Sequence, residues 1–289
     1  MIIVKIIGGL GNQMFQYALG RSLAYRHNTE LKLDISDYQE RYKLHRYGLH
    51  HLNIHASIAS PKEINQLKNG GKQRILLALL KIFRGNTAKS HLAEKKFSFD
   101  PSILSCGDNV YFNGYWQSEK YFTNVQDIIR EEFKIKTSPD QDNESMIKRI
   151  ESTEAVAVHI RRGDYISNSK TNSVHGSVSL EYYTKAAKII MDAINTPTFF
   201  VFSDDPQWVK KNLKLPSLTV YIDHNGPEKN YEDLRLMSVC KHHIIANSTF
   251  SWWGAWLAEH KDQKVIAPLR WFNNDVKTKD LIPDRWERI

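Results

Sequence analysis

The sequence predicts an α/β protein in two halves, each built on a parallel sheet with helices on its faces. Three observations carry this. The chain opens as strand, glycine loop, helix, strand. Beyond residue 146, five strand-like runs alternate with helix-like stretches, the pattern a parallel sheet needs because every crossover must pass over a face. Between the halves, TSPDQDNES (137–145) is polar and carries a proline, as linkers do. The expected domains are 1–138 and 146–289, joined by 137–145, with the C-terminal tail free to pack back on the first domain.

Taken in order, IIVKII is a short apolar strand and GGLGNQ (8–13) a break. MFQYALGRSLAYR then places Met14, Tyr17, Ala18 and Leu23 at helical spacing, and LKLDI alternates like a strand. Residues 38–60 are rich in His, Tyr and Arg without a clear period. KQRILLALLKIFR (72–84) is a basic amphipathic helix whose apolar face suits either its own domain or a membrane surface. NVYFNGYWQSEKYF (109–122) reads as an aromatic strand feeding a helix. In the second half the strands are AVAVHI, TFFVFS, SLTVYID, HHIIAN and KVIAPL. The helices between them are SLEYYTKAAKIIMDAI, DPQWVKKNL, YEDLRLMSV and STFSWWGAWLAEH.

Composition narrows the function classes. Hydrophobic residues at 41% and charged residues at 25% describe a soluble globular chain. The net charge of +8 suits an anionic partner: nucleotide phosphate, nucleic acid or anionic membrane. No nucleic-acid motif accompanies it, so nucleic acid is not expected. Cys106 and Cys240 match neither a metal spacing nor a disulfide framework. The start lacks the order of a signal peptide, and no apolar run reaches the roughly 18 residues of a membrane span. A cytoplasmic protein is expected, and the sequons at Asn143 and Asn247 carry no weight.

Parallel sheets bind ligands at the carboxyl ends of their strands, and three exits in the second half are polar. AVAVHI runs into RRGD, TFFVFS into DDP, and HHIIAN into STFS. Alternation puts His159 and Arg161 on one face and turns Arg162 away. Adjacent arginines beside Gly163 suit a diphosphate; an Arg–Asp bridge tying down a loop is the alternative. Of Asp204 and Asp205, one fits the cap of a helix that starts at Pro206. The other has the paired acceptors a guanine edge needs. Ser248, Thr249 and Ser251 at a helix start suit an anion or a plain capping box, whereas WWGAW (252–256) reads as core. In the first loop, Gly9 and Gly11 form only a weak GxG, with Met14 where a dinucleotide fingerprint has its third small residue. The one DxD, Asp140–Asp142, lies in the polar stretch, so no metal is expected.

Together, GGLGNQMFQYALGRSLA, NGYWQSEKYF, VHIRRGDY, FSDDPQW and NSTFSWWGAWL resemble the α-1,2-fucosyltransferases of bacterial glycan synthesis, glycosyltransferase family eleven, over Ile7 to about Trp286. The resemblance implies a GT-B fold, two Rossmann-like domains facing a cleft. It also implies inverting, metal-independent transfer of L-fucose from GDP-fucose to the 2-hydroxyl of a terminal galactoside, as in O-antigen synthesis. GDP-fucose would bind the C-terminal domain: Arg161 and Arg162 at the diphosphate, His159 and one of Asp204 and Asp205 at guanine, and Ser248, Thr249 and Ser251 at phosphate. Gly9, Gly11 and Asn12 would face the reaction centre. Asp164, His175 and Glu181 are candidates for a base, alongside a mechanism that needs none. A lipid-linked galactosyl acceptor would bring the basic chain against the anionic inner membrane. The alternatives are a transferase for another GDP-sugar and a non-catalytic glycan-binding protein.

Overall fold

A computed structural model of the chain describes residues 1–40, 45–69, 90–163, 176–274 and 276–289. It has two compact units: Met1–Lys134 with Lys277–Leu281, and Ile135–Val276 with Ile282–Ile289.

The first unit holds a five-stranded sheet in the order β3-β2-β1-β5-β4, every pairing parallel. Its strands are β1 (Ile2–Lys5), β2 (Leu31–Asp34), β3 (Ser57–Ile58), β4 (His91–Ala93) and β5 (Val110–Asn113). Helix α1 (Leu10–Arg26) lies directly on β1 and β2. Gly20 allows this, since a Cβ there would stand 2.5 Å from Val4 and 2.7 Å from Leu31. The periodicity of α1 suggests one apolar face, yet Phe15 and Leu19 are as buried as Met14 and Leu23. The far side is covered as well: Phe15 packs on Phe122, and Tyr17 donates to Glu132, which also binds Arg21. The short helix α2 (Ser36–Glu40) follows β2, and α3 (Gln126–Glu132) carries Glu132.

The second unit holds six parallel strands in the order β11-β10-β9-β6-β7-β8. These are β6 (Glu154–Ile160), β7 (Pro197–Ser203), β8 (Thr219–Ile222), β9 (His242–Ile244), β10 (Val265–Ala267) and β11 (Glu287–Arg288). The first five are the runs read from sequence; β11, two residues long, is too short to show a period. Helices α4 (Gln141–Glu151), α5 (Leu180–Ala193), α6 (Pro206–Asn212), α7 (Asn230–Val239) and α8 (Thr249–Leu257) cover both faces. On one, Val156, Val158 and Ile160 pack against Tyr183, Ala186 and Ile190 of α5; on the other, Ala155 and Ala157 meet Leu236 and Met237 of α7. WWGAW is core, with Trp252 and Trp253 fully buried.

The segment read as a linker differs in the structure. The boundary between units falls at Lys134–Ile135, and residues 141–145 form the start of α4. Asp140 caps that helix, accepting from the Asn143 amide at 3.0 Å. A run of Asp, Asn and Ser serves a helix start as well as a loop, which is why composition alone does not separate the two. Both sequon asparagines are buried and hydrogen bonded, Asn143 to Asn225 and Asn247 to the Gly176 and Trp271 carbonyls. The amphipathic stretch 72–84 lies outside the described residues. Among the described residues, no helix is long and apolar enough to cross a membrane.

Candidate active site

In the second sheet β6 continues on one side through β7 to β8, and β9 returns on its other side. The carboxyl ends of β6 and β9 therefore flank the point where strand order reverses, the usual ligand crevice of such sheets. Register decides what meets there. Ile160 pairs with Ser203, so one and two residues further on Arg161 stands level with Asp204 and Arg162 with Asp205. On the other side Val158 pairs with Ile244, which brings Asn247 and Ser248 to the same level.

The contacts follow the register. Arg161 Nη1 lies 3.0 Å from Asp204 Oδ2, and the Arg162 amide donates to Asp204 Oδ1 at 2.8 Å. The Arg162 Nε reaches Asp205 Oδ2 at 3.4 Å, and its guanidinium lies 3.3 Å over the Trp208 ring. Asp205 also caps α6, accepting from the Trp208 amide at 3.3 Å. Gly163 is required by closeness, since a Cβ there would come within 2.9 Å of the Asp204 carboxylate. Both aspartates thus contact the arginines, the arrangement that the salt-bridge alternative describes. One aspartate does cap a helix, and it is Asp205.

His159 ends the Ala155–Ala157 row of β6, 5% exposed and packed on Phe250. Burial holds its pKa well below the ordinary imidazole value; the Asp204 charge opposes this and the Arg161 charge adds to it, and burial outweighs both, so the ring is neutral. Its Nδ1 has no hydrogen-bond partner. Met237 of α7 packs on Gly254 of α8, and Asp233 lies one turn before Met237 on α7. Burial raises Asp233 to about 7, and its carboxylate accepts from Asn225, itself bonded to Asn143. Sequence reading missed this polar group because each member sits in an unremarkable helix or turn; only the carboxyl exit of β8 into Asp223–Asn225 hinted at it.

The start of α8 completes the edge. Ser248 caps it through the Phe250 amide, while the Ser251 hydroxyl is buried and donates back to the Ser248 carbonyl. Ser248 and Thr249 therefore lie at the helix mouth and Ser251 one turn inside. In the first unit the tight turn is made by Gly8, with φ +79, and not by the GxG glycines. Gly9 caps α1 with φ −71, and Gly11 lies buried within its first turn. Asn12 accepts from Gln117 Nε2 at 2.8 Å. Asp164 and His175 lie outside the described residues. Glu181 is not brought to the arginines: it stands in the first turn of α5, lining a groove with Lys185, Lys188, Met191 and Leu215. Among the described residues, no three His, Cys, Asp or Glu side chains converge as metal ligands.

The family model for glycosyl transferase family 11 matches residues 1–288. The chain belongs to that family. This family 11 glycosyltransferase is 36% identical to the alpha-1,2-colitosyltransferase of Escherichia coli, covering all of this chain and 99% of the relative. It is 32% identical to the Escherichia coli O-antigen biosynthesis glycosyltransferase WbnK, over 96% and 97% of the two chains. It is 26% identical to the galactoside 2-alpha-L-fucosyltransferase of Caenorhabditis elegans, over 65% and 56%. The NodZ alpha-1,6-fucosyltransferase crystal structure soaked with GDP-fucose matches with a TM-score of 0.50 at 14% identity, over 89% and 92%. That likeness shows the fold, and the family 11 glycosyltransferase has the α/β, GT-B class of two Rossmann-like units.

Proposed function

We propose that the protein transfers L-fucose from GDP-fucose to the 2-hydroxyl of a terminal galactoside, with inversion and without a metal, in cell-surface glycan synthesis. The observation that carries this is the row of exits at the β6/β9 crevice: two arginines backed by two aspartates, beside a helix start and a buried neutral histidine. Breaking the fucose–phosphate bond builds negative charge on GDP. Guanidiniums already held in place stabilise that charge without reorganising, and one such donor is worth about 2.7–4 kcal/mol. Arg161 and Arg162 take the diphosphate, with Ser248 and Thr249 at its flank. The unpartnered His159 nitrogen and the Asp233 carboxyl, bonded to Asn225 beyond the end of β8, suit the donors and acceptors of a guanine edge. The acceptor hydroxyl attacks the opposite face of the sugar.

The relative named a colitosyltransferase favours a second reading, in which the same 1,2-linkage is made with colitose. Purified protein offered GDP-fucose, GDP-colitose and GDP-mannose with a panel of galactosyl disaccharides separates the two, by the donor consumed and the linkage formed. Transfer from GDP-fucose is expected; exclusive use of GDP-colitose would replace fucose in the proposal. Failure to bind any GDP-sugar would return the protein to the glycan-binding class.

A further inference from the structure

The first unit has a crevice of its own, and its chemistry is different. β1 runs on one side to β2 and β3, while β5 lies on its other side. Register carries Glu94 level with Gly114, and Gly8–Gly9 level with Trp116–Gln117. The groups meeting at these exits are amides, a carboxylate, aromatic rings and the His45 imidazole, 3.7 Å from where a Gly9 Cβ would stand. Both oxygens of Glu94 are engaged: Oε2 accepts from the Tyr115 amide at 2.7 Å and Oε1 from Trp116 at 3.1 Å. That clamp holds Trp116 at φ +57, a backbone conformation a bulky residue rarely adopts, and strain of this kind gathers at functional sites. Gly114 is small for the same reason, as a Cβ there would stand 2.4 Å from Glu94 and 2.9 Å from the Trp116 ring.

The strained turn delivers Gln117. Its carboxamide is 6% exposed; one end donates to Asn12 and the other, Oε1, has no partner. A buried amide end costs free energy until a ligand meets it. Tyr115, the neighbouring residue, is 37% exposed.

We infer that Gln117, with Asn12 beside it and Tyr115 at its rim, forms the subsite for a neutral sugar, which on the transfer reading above is the acceptor galactoside. Hydroxyls both donate and accept, so amides match them, and an exposed aromatic ring suits the apolar face of a pyranose. A phosphate-bearing ligand is disfavoured here because the Glu94 carboxylate backs the turn. Glu94 is a positioning residue that acts through the Trp116 turn.

The test uses Gln117→Ala and the near-isosteric Gln117→Leu, with methyl β-galactoside as acceptor. The Michaelis constant for acceptor should rise about tenfold in both, as loss of a buried hydrogen bond implies. The donor constant and acceptor-free GDP-fucose hydrolysis should stay unchanged. Glu94→Gln, which keeps one accepting oxygen, should fall between wild type and Glu94→Ala. An unchanged acceptor constant in both Gln117 variants, or an equal rise for donor and acceptor, overturns the subsite. Saturation-transfer NMR of methyl β-galactoside on wild-type and variant protein reads the subsite without turnover. Sugar binding lost in the variants but no transfer from any GDP-sugar would keep the subsite and remove the transfer reading.

Discussion

Arg161 is held 3.0 Å from Asp204, so its guanidinium is in place before any ligand arrives. Preorganised charge is what a leaving diphosphate responds to, and Arg161→Ala should lower kcat by about 10²–10³-fold. Circular dichroism should stay native; near-normal turnover in a folded variant would remove the diphosphate role. Gly163→Ala tests the same contact from behind. Its methyl group meets the Asp204 carboxylate at 2.9 Å, so the aspartate must shift and loosen both its arginine contacts. Weaker GDP binding by calorimetry with little change in thermal stability is expected. At this scale the sequence proposed Arg161 and Arg162 from their place at a strand exit, and the family resemblance proposed His159. The burial of His159, and the use of both aspartates as supports, depended on neighbours from other strands.

At the scale of elements, α6 shapes the candidate site through its hold on Arg162. Its cap, Asp205, meets the Nε edge of the Arg162 guanidinium at 3.4 Å, and its third residue, Trp208, stacks on the guanidinium at 3.3 Å. Stacking of this kind is worth about 0.5–2 kcal/mol. Trp208→Ala should therefore weaken GDP binding several-fold, and Trp208→Phe should recover most of it by restoring a ring. Equal binding by both variants and wild type would show that Arg162 needs no such support. The helix itself was legible from Asp205–Pro206, a cap followed by a favoured first residue. That its tryptophan faces an arginine of another strand was not, since stacking partners leave no periodic trace.

At the scale of the molecule, buried ionisable groups set the response to pH. His243 is lowered by burial to about 3, and His159 is lowered by the same cause, both from an ordinary 6.5. Below that value the unfolded chain takes up protons that the fold refuses, so their contribution is present above pH 6.5 and is lost as pH falls toward the folded values. Asp233, raised to about 7, works the other way: its contribution is present below its ordinary 3.8 and is lost as pH rises through 7. With His91 and His242 also lowered by burial, four such histidines stand against two raised carboxyls, Glu94 and Asp233, so the melting temperature should drop between pH 6.5 and 4.5. Asp233→Asn, which keeps an accepting oxygen for Asn225, should raise it at pH 8 and leave it unchanged near pH 4. A flat profile, or a variant no more stable at pH 8, would contradict this. Transfer should also continue in EDTA, because arginines carry the diphosphate charge in the proposed mechanism; strict dependence on added Mg²⁺ or Mn²⁺ would overturn that part.

What the sequence determined by itself was the set of parts: strands and helices in alternation, the polar chemistry at each strand exit, and the family those stretches resemble. Local periodicity and turn residues encode these, and they are written within a few positions of one another. Tertiary structure decided the register. Strands separated by 43 and 86 residues along the chain pair so that RRG, DDP and NST end level with one another. Parallel pairing is chosen by which side chains bury together across the sheet, and no local pattern records that choice. The same choice placed Gly8 rather than Gly9 or Gly11 at the tight turn, and set a strained tryptophan beside a glutamine whose amide oxygen has no partner.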